Sequence, residues 1–185
     1  DGAVEDVLSS RLDAGAGTPD SGRAVGARRS VFLSAPVRTP FGRSVADAQC
    51  VAEHGRSNVV AWISDMHVDA IDRLPELGPP WENDLGQVVF ESRAALSKGE
   101  APAALIRTKL GADINTLVWT GTNPGGRVLD PYGRLAGTCG SWLDPESTGI
   151  VGDPDPTLPN QATAWTAAVK DHSCRGALRV YCFEL

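Results

Sequence analysis

The chain is poor in lysine, methionine, tyrosine and histidine, and it has no long apolar run. Of its 17 basic residues only Lys98, Lys109 and Lys170 are lysines, and the 23 acidic residues leave a net charge of -6. That balance excludes a general nucleic-acid binder, which needs an excess of positive charge to displace phosphate counterions. The other basic residues are all arginine, so a local arginine patch stays open. No stretch approaches the roughly 18 apolar residues that span a bilayer. Residues Asp1 to Asp6 have neither the basic start nor the apolar stretch of a signal peptide, so an exported form would carry this numbering after processing. The four cysteines, Cys50, Cys139, Cys174 and Cys182, form no C-x-x-C pair, and a structural zinc site therefore has no support from spacing. Widely separated and even in number, they fit two disulfides in an oxidising compartment. Their spacing alone leaves three pairings open.

What is present divides the chain at about residue 30. Residues 1–29 are rich in Gly, Ala, Asp and Ser and lack aromatics, which predicts a tail or tether. From Ser30-Val31-Phe32-Leu33-Ser34 onwards the texture is that of a folded domain, residues 30–185, beginning with a short strand ended by Pro36. The stretch "SVADAQCVAEHG" predicts a helix over about 45–54, with Ser44 and Asp47 at capping-box spacing and Gly55 as its stop. "NVVAWIS", Gln87 to Phe90, "TLVWTGT" and "LRVYCFEL" read as strands, the last with Val180 and Cys182 alternating against Arg179 and Tyr181. Ser92 to Leu96 reads as a helical turn, residues 75–115 as short hairpin or loop elements, and Cys139 to Cys174 as a loop-rich segment.

The ordered stretches "SVADAQC", "AWISD", "VWTGTNPGGR", "CGSW" and "HSCRGALRVYCFE" together resemble the endostatin-like domain of basement-membrane collagens and of bacterial surface lipoproteins. The resemblance covers about residues 30–185. It implies an α+β fold of C-type-lectin-like topology, with a twisted, mainly antiparallel sheet, a packed helix and long loops. It also implies two nested disulfides, Cys50 with Cys182 and Cys139 with Cys174. The zinc site of the vertebrate relatives is not carried over, because residues 1–29 contain no histidine. Their heparin binding rests on a basic domain, whereas this chain is acidic.

Chemistry-bearing clusters are few. Asp65, His67 and Asp69 alternate, and on an extended segment they would share one side and suit a divalent metal, the basis for an alternative reading as a metal-dependent hydrolase. A solvated loop is the favoured reading, since no further His or Cys pair completes the ligand set. Ser141 and His172 lack a nucleophile elbow. "WEND" at 81–84 and "LPN" at 158–160 are the only echoes of a calcium-dependent, carbohydrate-binding lectin, the other alternative, and neither sits as that motif requires. Trp62 and Trp119 are expected in the core, and Trp142 against the bridge of Cys139. Trp81 and Trp165 lie in polar surroundings and are expected as exposed contacts, together with Arg127 and Arg134. Asn123-Pro124-Gly125-Gly126 opens no helix, so it predicts a turn into the loop region, with no phosphate cradle.

The leading expectation is a non-enzymatic recognition or adhesion domain without cofactor or metal, secreted or tethered to a bacterial surface through its N-terminal tail. It would bind a protein, matrix or glycan ligand through loops between Pro124 and Asn160.

Overall fold

A computed structural model of the chain describes residues 28–104, 106–111, 116–128, 137–154 and 163–185. Most of the N-terminal tail, Arg134 and the 158–160 segment lie outside the described residues. The domain begins slightly earlier than the sequence texture predicts, because Arg29 already belongs to the first strand.

The architecture is mixed α/β, with few helices and one large mixed sheet. The last strand, β9 (Ala177–Glu184), is its hub. It pairs antiparallel with β1 (Arg29–Leu33), β2 (Val37–Arg38) and β3 (Val59–Ala61), and parallel with β6 (Val118–Trp119). Beyond β1 lie β4 (Trp81–Glu82) and then β5 (Val88–Phe90). Beyond β6 lie β7 (Thr148–Gly152) and β8 (Val169–Ser173). Antiparallel pairings predominate, as expected. The β7–β8 pair corrects the loop-rich reading of the segment between Cys139 and Cys174. Its glycines, which signal turns in sequence, here permit close packing within a ladder.

Strand geometry sends successive side chains to opposite faces, and in this sheet both faces are covered. Val31 and Leu33, Val118, and Tyr181 and Phe183 enter one core; Phe32, Trp119, and Val180 and Cys182 enter the other. Tyr181 is thus fully buried, not the solvent-facing partner that alternation with Val180 suggests. Its hydroxyl donates to the Trp165 carbonyl at 2.6 Å, which satisfies the polar tip a buried tyrosine carries.

The second core is capped by α1 (Gly42–His54), which buries Ala46 and Cys50. The helix starts three residues before its predicted position and has no side-chain cap at Phe41. Asp47, read as part of a capping box, instead accepts from Ala61 N–H at 2.9 Å and from Arg73 Nη2 at 2.6 Å, so it ties the helix to β3. Gly55 closes the helix in the left-handed conformation, as the sequence suggests. Both disulfides belong to this core: Cys50–Cys182 joins helix to hub strand, and Cys139–Cys174 joins α3 (Cys139–Trp142) to the segment after β8. The single turn α3 is unusual, since Cys139, Gly140, Ser141 and Trp142 all have positive φ. The bridge at one end and the buried Trp142, whose Nε1 donates to Ser64 O at 2.9 Å, hold it in that form.

Among the described residues no long helix packs on the first core, and short elements fill it with tryptophans. Here two expectations fail: Trp81 and Trp165 are interior residues, at 0% and 2% exposure. Trp81 meets Phe183 edge-on at 5.5 Å, lies under the Arg29 guanidinium, and donates from Nε1 to Glu184 O at 2.8 Å. Trp165, on α4 (Ala164–Ala167), stands 4.8 Å from Phe90 and 5.3 Å from Trp62 between ring centroids. Their polar sequence neighbours are drawn in with them: Thr166 is fully buried and Asn83 is 7% exposed, on or beside a one-turn helix and a two-residue strand. Elements that short give no periodicity by which to read the inward face. Trp62 and Trp119 are buried as expected.

Candidate functional site

Three short segments converge beside the first core: the turn after β6, the 3-10 turn Ala70–Arg73, and α2 (Arg93–Ser97). The turn is closed by its own residues. The Asn123 side chain accepts from Gly125 N–H at 2.9 Å and Arg127 N–H at 3.0 Å, while its backbone exchanges hydrogen bonds with Gly126 and Arg127. Those amides are consumed internally, so the loop cannot cradle an anion in the manner of a phosphate loop. Gly126 has φ +76°, and a Cβ there would lie 2.5 Å from the Trp62 ring. A glycine is therefore required for the turn to rest directly on the core. Its carbonyl accepts from Ile71 N–H at 3.1 Å, which fastens the 3-10 turn alongside.

This packing fixes Arg127, the one sequence-predicted contact residue that emerges at a described concave surface. A groove of about 350 Å³ is lined by Ile71, Glu76, Arg93, Ala94, Ser97 and Arg127. Arg127 is 55% exposed and pairs with Asp69 Oδ2 at 3.1 Å and Asp72 Oδ2 at 3.2 Å. The Asp72 charge, followed by hydrogen bonds to Asp69 and Asp72, raises its pKa. From the other side Arg93 donates to Ile71 O at 2.9 Å and pairs with Asp72 at 3.1 Å and Glu76 at 3.2 Å. Sequence reading missed Arg93. Its only local signal is Ser92, whose side chain caps α2 by accepting from Ala95 N–H at 3.2 Å.

The proposed metal-ligating trio is dispersed by a turn in place of the extended segment its alternation requires. Asp65 is buried, pairs with Arg43 at 2.7 Å, and accepts from His67 N–H at 2.8 Å and Val68 N–H at 2.9 Å. Asp69 points instead to Arg127 and to Val128 N–H at 2.8 Å. Among the described residues no group of three His, Cys, Asp or Glu side chains is placed to hold a metal ion. Ser141 Oγ accepts from Met66 N–H at 3.2 Å, and His172 lies edge-on to Trp119 at 5.4 Å, beside the inner bridge. Of "WEND", Trp81 is core, Asn83 closes the β4–β5 hairpin by accepting from Leu85 and Gln87 N–H, and Asp84 faces Arg107.

A second polar cluster sits where α1 ends against the hub strand. His54 is 4% exposed at its side chain, stacks on Phe32 at 5.8 Å, and places Nε2 3.6 Å from Glu184 Oε2. Burial, followed by the positive charge of Lys109, lowers its pKa despite the nearby carboxylate. Burial pushes Glu184 up, but hydrogen bonds from Ser30 and Asn58 and the charge of His54 outweigh it, so this carboxyl titrates below its ordinary value. The unfolded chain therefore takes up a proton on histidine before the folded chain does. Stability held fully above the ordinary histidine value of 6.5 is lost as pH falls below it. The Glu184 contribution is present above 4.5 and disappears only as pH falls through its lowered folded value. We expect the melting temperature to drop between pH 7 and 5.5, and to drop less in His54→Gln; equal slopes in thermal melts would remove His54 as the cause.

Among the described residues no helix is long and apolar enough to cross a membrane. In comparisons with known proteins, no family model matches the chain and no curated protein matches it.

Proposed function

We propose that the chain is a recognition domain of endostatin-like, C-type-lectin-like type, secreted or displayed at a cell surface, which holds a protein or matrix ligand at the Arg93–Arg127 groove. One observation carries this reading. Two arginines from segments far apart in sequence converge on Asp72 at the rim of a groove, and Arg127 remains half-exposed. Arginine is over-represented among residues that dominate binding energy, and its planar fork suits carboxylates on a partner. Because ion pairs and the underlying turn already fix both side chains, little rotamer freedom remains to be lost on binding. Two buried disulfides fit an oxidising compartment, which supports the secreted setting. The fold likeness rests on motif order and on the nested bridge pairing, which agrees with what the resemblance implies.

Surface plasmon resonance against immobilised fibronectin, laminin and collagen tests the proposal. We expect binding to at least one of them, weakened about tenfold or more by Arg127→Gln, with the melting temperature nearly unchanged because the ion pairs lost are half-exposed. Absence of micromolar binding to all three, or an affinity indifferent to Arg127→Gln, would sink it.

A further inference from the structure

The turn α3 is built in a conformation that side chains other than glycine avoid. Cys139, Ser141 and Trp142 have φ of 49°, 61° and 69°, with Gly140 at 59° between them, so four successive residues are left-handed. Such a run is unfavourable for L-residues and persists only where its surroundings hold it. The holds can be named. Cys139 is tied to Cys174, Trp142 N–H donates to Thr138 O at 2.6 Å, and the Trp142 carbonyl accepts from Phe41 N–H at 2.8 Å. Of these, the disulfide is the one that chemistry can cut. The turn also reaches the groove. Trp142 Nε1 donates to Ser64 O, while the Ser64 hydroxyl accepts from Ala70 N–H at 2.8 Å and lies 3.5 Å from Gly126 O. Ala70 opens the 3-10 turn that carries Asp72, and Gly126 precedes Arg127. Ser64, at 0% exposure, is therefore the joint between α3 and both segments that fix Arg127.

We propose that the Cys139–Cys174 bridge is a redox-sensitive switch for the Arg93–Arg127 groove. A thiolate of a dithiol reductant attacks one sulfur, and the other cysteine leaves as a thiolate. The reductant's second thiol then displaces the mixed disulfide and closes its own ring, so two electrons and two protons pass to the protein, which ends with two thiols. Without the bridge α3 relaxes to ordinary backbone, Trp142 leaves Ser64, and the 3-10 turn and Gly126 loosen together. The outer bridge resists the same reagent. Cys182 sits mid-strand in the hub, paired with Phe32 on one side and Ala61 on the other, and its exposure requires the sheet to part. Cys174 lies just past the end of β8, between exposed Ser173 and Arg175. Both inner sulfurs are buried, so exchange waits only on local opening of that end. As regulation of ligand binding, the switch rests on the groove being the ligand site. Absence of matrix binding bears on that reading alone, because the groove's amides report on the switch without any ligand.

Dithiothreitol applied to the native, 15N-labelled full chain tests the inference, with timed samples alkylated and mapped by mass spectrometry. Cys139 and Cys174 are expected to react about tenfold or more faster than Cys50 and Cys182. In the protein reduced at the inner bridge alone, hydrogen exchange at the Ala70 and Ile71 amides should quicken about tenfold, while the β9 amides keep their protection. Trp142→Phe, with both bridges intact, removes the bond to Ser64 and should quicken exchange at the same two amides. Reduction of both bridges at one rate, unchanged exchange at Ala70 and Ile71 after inner-bridge reduction, or an equal acceleration throughout β9 overturns the proposal.

Discussion

Replacing Cys50 and Cys182 together with alanine should destabilise the domain by about 2–5 kcal/mol, a large share of the stability of an ordinary domain. The two cysteines are 132 residues apart in sequence, and without the bridge the unfolded chain regains the freedom of that whole loop. The same replacement at Cys139 and Cys174 opens a separation of only 35 residues. Loop-closure entropy, which scales with the logarithm of loop length, makes the outer bridge worth about 1 kcal/mol more than the inner one. Urea unfolding of both double variants measures the difference directly. A larger loss at the inner bridge would show that packing outweighs chain entropy here. The source would be the cluster of Trp119, Trp142 and the left-handed turn α3, which the inner bridge holds together.

Gly152→Ala should be nearly as damaging, at about 3 kcal/mol or more. A Cβ at this position would overlap the carbonyl oxygen of Trp165 and lie 2.6 Å from its carbon, and both are backbone atoms that cannot rotate aside. Relief requires α4 to move off β7, which breaks the bonds from Asp153 N–H to Ala164 O and from Ala168 N–H to Val151 O, both 2.8 Å. It would also loosen Trp165 against Trp62 and Phe90. Gly176→Ala provides the contrast, since nothing lies within 4 Å of its added carbon and its φ is not left-handed. That variant should stay within about 0.5 kcal/mol of the parent. Similar denaturation midpoints for the two alanine variants would mean that the β7–α4 contact can open freely.

Much of this architecture is legible along the chain. The hub strand is announced by "LRVYCFEL", the helix by its apolar spacing and its terminal glycine, and the first strand by a change of texture near residue 30. Each of these signals is local, a backbone preference or a periodicity read over a few turns. The exposed position of Arg127 was readable for the same reason, as a long side chain leaving a turn that Asn and Gly residues dictate. Arg93 was not, because its meaning depends on Asp72 and Glu76, roughly twenty residues away and on a different element.

The four cysteines, the acidic charge, the strand at each end of the domain and the turn at 123–126 were determined by the sequence itself. Which face of each strand meets water was decided only by tertiary structure. A strand's period places side chains on two sides but says nothing of what covers either side. In this sheet both sides are covered, so Tyr181, Trp81 and Trp165 became core despite their polar neighbours. Likewise Asp65 and Asp69 alternate in sequence as a shared ligand set would. The chain turns between them, and each carboxylate meets an arginine brought from elsewhere, Arg43 and Arg127. Charge pairing across space is set by the packing of the backbone, and that packing is a property of the whole chain.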